Sequence, residues 1–68
     1  MANKIKKSGV VKFFNKDKGY GFIIDEDNGE EYFFHVTKLK QEVKKDDKVE
    51  FEVEEGKRGL QAVGIKLI

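Results

Sequence analysis

From Lys48 to Glu54 the chain alternates without a break, "KVEFEVE". In an extended strand this puts Val49, Phe51 and Val53 on one face and Lys48, Glu50, Glu52 and Glu54 on the other. No stretch repeats convincingly at 3.6 residues, so period two governs what the chain can fold into. Four further short runs fit strands: "GVVKFF" at 9–14, "GYGFII" at 19–24, "EYFFHV" at 31–36 and "LQAVGIKL" at 60–67. In the last of these, Gly64 marks a bulge or bend. Between the runs lie a turn at 15–18, "NKDK", and a hairpin signal, Asn28-Gly29, within "DEDNGE" at 25–30. A glycine-flanked loop follows at 55–59. The polar connection "TKLKQEVKKDD" at 37–47 has room for one helical or 3₁₀ turn around Thr37 to Gln41.

Five short strands without a useful helix predict an all-β fold, a small closed five-stranded antiparallel barrel. Closure removes the exposed edges of a flat sheet, and the lack of crossover helices excludes a doubly wound fold. A chain of 68 residues allows one domain, 1–68, with residues 1–8 as a lysine-rich lead-in. It has one histidine and no cysteine, so neither disulfides nor a metal site is expected to supplement the core, and no cofactor is expected. No apolar run reaches the length of a membrane span or a signal-peptide core, and a soluble cytoplasmic monomer is expected.

The formal net charge is only +1, but the charges are segregated. Residues 1–20 hold six lysines (4, 6, 7, 12, 16, 18) against Asp17, whereas residues 25–31 hold five acids and no base. Such a basic region suits a polyanion, although lysines also solubilise small β-proteins, and charge alone leaves both readings open.

Aromatic residues in strands are commonly core. Here the period places Tyr20 and Phe22 opposite Ile23, and Phe33 and His35 opposite Tyr32 and Phe34. A narrow barrel cannot enclose both faces, and histidine is a poor core residue. The expected interior is Ile23, Tyr32, Phe34, Val49, Phe51, Val53 and apolar residues of the last strand. Tyr20, Phe22, Phe33 and His35 then form an outer patch flanked in sequence by Lys12, Lys16 and Lys18. Rings interleaved with cations suit single-stranded nucleic acid: bases stack at about 1–3 kcal/mol each while lysines follow the phosphates.

These segments resemble the cold-shock domain proteins over nearly the whole chain. Gly9 to Asn15, "GVVKFFN", is similar to that family's opening strand. Lys18 to Ile23, "KGYGFI", is similar to its first ribonucleoprotein motif and Tyr32 to Val36, "YFFHV", to its second. Gly56 to Ala62, "GKRGLQA", is similar to the segment before its last strand. The resemblance implies an OB-type Greek-key barrel. It implies stacking roles for Phe13, Tyr20, Phe22, Phe33 and His35. It also implies phosphate or base-edge contacts for Lys12 and Lys18, to which Lys16 and, as a rim contact, Arg58 are added. The expected partners are single-stranded RNA and DNA, with an RNA-chaperone role and no small-molecule substrate or membrane. Three departures bear on affinity. Phe13 replaces the family's usual tryptophan and Val36 a stacking phenylalanine, and the 39–49 connection is short and lacks its aromatic. Leu60 also takes the usual proline position.

Two other readings remain: a small architectural barrel on duplex DNA, wedging apolar side chains between base steps, and an SH3-like barrel holding proline-rich peptide. Catalysis is not expected, since no motif sets a nucleophile beside His35 and Ser8 is the only serine.

Overall fold

The computed structural model of the chain describes residues 5–56 and 59–68. Its elements are β1 (Ile5–Asn15), β2 (Tyr20–Asp25), β3 (Glu31–His35), a 3₁₀ turn η1 (Val36–Lys38), β4 (Lys48–Gly56) and β5 (Gly59–Leu67). They close into a barrel in the order β1-β2-β3-β5-β4. Each strand starts or stops within two residues of the sequence expectation except β1. That strand begins at Ile5, so residues 5–8, expected as lead-in, are strand paired with β4 from Val53 to Glu50.

The expected all-antiparallel pairing fails at one seam. Four neighbouring pairs are antiparallel, but β3 and β5 run parallel, paired at Phe33 and Gln61. The reason is parity: a ring of five strands cannot alternate direction at every seam. The short parallel seam is extended by the β3–β4 connection, where Leu39 bridges Ile65 and the Lys40 N–H donates to the Ile65 carbonyl at 2.8 Å.

The interior is a single cluster of Val11, Ile23, Tyr32, Phe34, Val43, Val49, Phe51, Ala62 and Ile65. Val53, expected inside, is half-buried against it. The surprise is Val43, buried from within the polar connection. The alternation at Ala62, Val63 and Ile65 is broken by Gly64, at φ 59°, where β5 carries one residue more than β4 between paired positions. This is the expected bulge, and it lets both Ala62 and Val63 be buried.

Among the acids of residues 25–31, Asp25 is only 1% exposed. It ends β2 opposite Gly9, and its Oδ1 accepts the Asp27 N–H at 2.7 Å while Lys7 Nζ lies 3.0 Å from Oδ2. A buried carboxylate is tolerated when so partnered. The Asp27 N–H, acting with Lys7 and against the cost of burial, holds the Asp25 carboxyl below its ordinary value, and the same contact raises Lys7. Among the described residues, no helix is long and apolar enough to cross a membrane, and no group of acidic or histidine side chains is placed to hold a metal ion.

A depressed carboxyl stabilises the fold above its unfolded value, about 3.9, and the contribution vanishes as pH falls through the folded value. Urea unfolding across a pH series is therefore expected to show stability falling below about pH 4. The Asp25→Asn variant should be less stable at neutral pH and flatter in acid; an unchanged acid slope would assign the loss to other carboxyls.

Candidate nucleic-acid interface

The outer face of β1–β3 is assembled by one irregularity. Val11 pairs with Ile23, but Phe13 pairs with Phe22, so Lys12 is an extra residue on β1. Plain alternation would put Val11 and Phe13 on the same face. The bulge at Lys12 separates them: Val11 is fully buried and Phe13 is 42% exposed. Phe14 then turns inward, its ring centroid 5.6 Å from that of Phe34.

Opposite this bulge the two backbones come too close for a side chain. A Cβ on Gly21 would lie 2.3 Å from the Phe13 carbonyl oxygen and 2.6 Å from the Phe34 ring. Glycine is therefore a steric requirement at this position. Gly19, expected in the strand, instead closes the β1–β2 turn with φ 76°, its N–H donating to the Asn15 carbonyl at 2.8 Å.

Four rings follow from this register. Phe22 pairs with Phe33 and Tyr20 with His35 across β2 and β3. The Phe13 centroid lies 5.8 Å from Tyr20 and 6.4 Å from Phe22. Tyr20 and Phe33 are nearly parallel, 5.9 Å apart at 22°, and Phe22 meets both edge-on. Such pairs prefer offset or edge geometry, so the rings brace one another. Phe13 and His35 are exposed, while Tyr20, Phe22 and Phe33 are half-buried, less open than the sequence patch suggests. Lys18, Tyr20, Phe22, Phe33 and His35 line a shallow depression of about 600 Å³.

His35 also caps η1. The Thr37 N–H donates to its Nδ1 at 3.2 Å, with the Thr37 hydroxyl at 2.9 Å, so a neutral ring carries its proton on Nε2. Val36, where a further ring was missing, opens η1; its N–H donates to the Gly19 carbonyl at 2.8 Å and its side chain lies over Gly19.

The lysines are less free than their sequence suggests. Lys12 Nζ lies 3.0 Å from Glu31 Oε2, and Lys16 pairs with Glu42 on the β3–β4 connection. Lys18 lines the ring depression, and its backbone N–H donates to Asn15 Oδ1 at 3.0 Å. Exposed pairs of this kind are weak and exchange readily for another anion. Arg58 lies outside the described residues. Of the expected site residues, the structure thus gathers Phe13, Tyr20, Phe22, Phe33, His35 and Lys18 around one face, with Lys12 and Lys16 at its margins in ion pairs.

A family model described as the 'Cold-shock' DNA-binding domain matches residues 7–68. The "Major cold shock protein" of Micrococcus luteus is 44% identical over 61 residues, 84% of this chain and 91% of its own length. The "Cold shock-like protein CspG" of Escherichia coli K12 is 39% identical over an alignment that covers 96% of both chains. Among solved structures, the one described as drosophila Unr CSD456 superposes with a TM-score of 0.79 at 28% identity. It covers 97% of this chain, which in turn spans 28% of that longer one.

Because the rings are half-buried, Phe22→Ala is expected to lower stability by about 1–2 kcal/mol. The fully buried Phe51 sets the contrast, with about 3–5 kcal/mol for Phe51→Ala. Gly21→Ala should cost about 1–3 kcal/mol, more than its one methyl suggests, because backbone has to move. Denaturant unfolding of the three variants ranks these costs, and equal losses for Phe22 and Phe51 would place both rings in the core.

Proposed function

The chain belongs to the cold-shock domain family of nucleic-acid-binding proteins, and from that premise we propose that it binds single-stranded RNA and DNA with little sequence preference. The observation that carries this reading is the contiguous ring quartet Phe13, Tyr20, Phe22 and Phe33 on the outside of a closed barrel. The faces of bases are available only on unpaired strands, and every base has one, so stacking on these rings favours single strands and tolerates any sequence. His35 extends the row. Lys18 meets the phosphates directly, and Lys12 and Lys16 do so by exchanging Glu31 and Glu42 for phosphate oxygens, with Arg58 as a further candidate cation.

No catalysis is needed for an effect on RNA structure. A monomer that binds open strands and not duplexes shifts pairing equilibria toward the open form by mass action. This supports an RNA-chaperone role in the cytoplasm, with consequences for transcription or translation and a place in cold adaptation. With phenylalanine at position 13 and valine at 36, the platform offers less ring area than its relatives' pattern, so binding should be weak and quickly reversed.

Tyr20 stands in the platform and provides an intrinsic fluorescence signal. Titration with short oligothymidylates and oligoadenylates is expected to give comparable affinities, falling with salt at a log–log slope of roughly −0.7 per phosphate contacted. Phe22→Ala and Phe33→Ala should each weaken binding on the order of 1–3 kcal/mol. Tighter binding to a matched duplex would favour an architectural barrel instead, and a salt-insensitive response to proline-rich peptide would favour the SH3-like reading. Added protein should lower the melting temperature of a weak RNA hairpin.

A further inference from the structure

A second depression lies on the other side of the β1–β2 turn. It measures about 450 Å³ and is lined by Phe14, Lys16, Glu42, Val43, Lys44 and Lys45. We propose that the bound single strand leaves the ring platform over the β1–β2 turn and continues into this depression, where Lys16, Lys44 and Lys45 take its phosphates. The proposal rests on the platform reading above and adds a subsite to it.

Charge is the first argument. Three cations face one carboxylate in the lining, in a chain whose net charge is only +1. Asp46 and Asp47 share the turn with the lysines, and Asp47 Oδ2 is engaged by the Lys44 N–H at 2.8 Å.

Rigidity is the second. Residues 44–47 form a turn closed by the Asp47 N–H donating to the Lys44 carbonyl at 3.1 Å. Two bonds tie that turn to β1: the Asp46 N–H donates to the Val11 carbonyl at 2.7 Å, and the Val11 N–H to the Asp47 carbonyl at 3.0 Å. Asp46 is held at φ 74°, which a residue with a side chain adopts only where its surroundings impose it. Lys44 and Lys45 therefore rise from fixed backbone. Beneath them, the half-buried Phe14 ring, which rests on Phe34, gives an apolar floor against which a base can lie.

Continuity is the third. The turn between β1 and β2 presents Lys18 to the ring depression and Lys16 to this one, two residues apart. A strand following the cations of that turn passes from one depression to the other. The Lys16–Glu42 ion pair joins the turn to the β3–β4 connection at this point, so an entering phosphate has to replace the Glu42 carboxylate. Glu42 then acts as an internal competitor that limits how readily the subsite fills.

Oligothymidylates of about 4 and about 10 nucleotides, within the range of site sizes for OB barrels, separate the platform from the extended path. The probe protein is the full chain carrying Lys44→Gln and Lys45→Gln together, both exposed positions whose turn is held by backbone atoms. The short oligonucleotide is expected to bind wild type and variant alike. The long one should bind the variant on the order of tenfold more weakly at 0.1 M salt, with the log–log salt slope shallower by about 1.4. Glu42→Gln should tighten the long oligonucleotide about two- to fivefold. Equal affinity of wild type and the double variant for the long oligonucleotide, with short binding intact, overturns the subsite and leaves the platform standing. Loss of affinity for an acidic peptide but not for the long oligonucleotide also overturns it, making the groove a protein-docking surface. Failure of the wild type to bind either length removes the platform reading and the subsite with it.

Discussion

The outer face depends on how closely β1 and β2 approach at Gly21. The Phe13 carbonyl occupies space that any Cβ would need, and the Phe34 ring fills the space beneath. This contact and the bulge at Lys12 belong to one arrangement. With Lys12 as the extra residue, Val11 seals the interior and Phe13 swings out beside Tyr20 and Phe22. Without that shift Phe13 would compete with Val11 for the core and the ring surface would lose one side. A local steric demand in the sheet thereby sets the width of the outer ring surface.

A barrel this small needs more than its strands to close. The parallel seam between β3 and β5 is short, and the β3–β4 connection reinforces it. Leu39 runs beside Ile65, the Leu67 N–H donates to Gln41 Oε1 at 2.8 Å, and Val43 plugs the interior. The same connection carries Glu42, Lys44 and Lys45 to the surface next to the β1–β2 turn. One segment thus buries Val43 in the core and leaves Glu42, Lys44 and Lys45 exposed.

The lysines divide by burial. Lys7 is committed to Asp25, where a carboxylate out of water requires a partner, so its charge is structural. Lys12 and Lys16 pair with exposed carboxylates and can exchange them, so their charge is available to a polyanion. A net charge of +1 conceals this division, because it counts a buried pair and an exchangeable pair alike.

Much of this was legible in the chain. Alternation in "KVEFEVE" and "EYFFHV" sorts Val49, Phe51, Tyr32 and Phe34 inward and Phe33 and His35 outward, because the direction of successive side chains is a local property of an extended backbone. What the sequence by itself determined is therefore the number of strands, the closed all-β form and the face of each ring on β2 and β3. The tertiary structure alone decided the bulge that turns Phe13 outward, the burial of Val43 and Asp25, and which carboxylate each lysine meets. Those outcomes depend on which backbone lies alongside and in what register. That register is set by a bulge and by contacts between residues far apart in the chain, which period two does not encode.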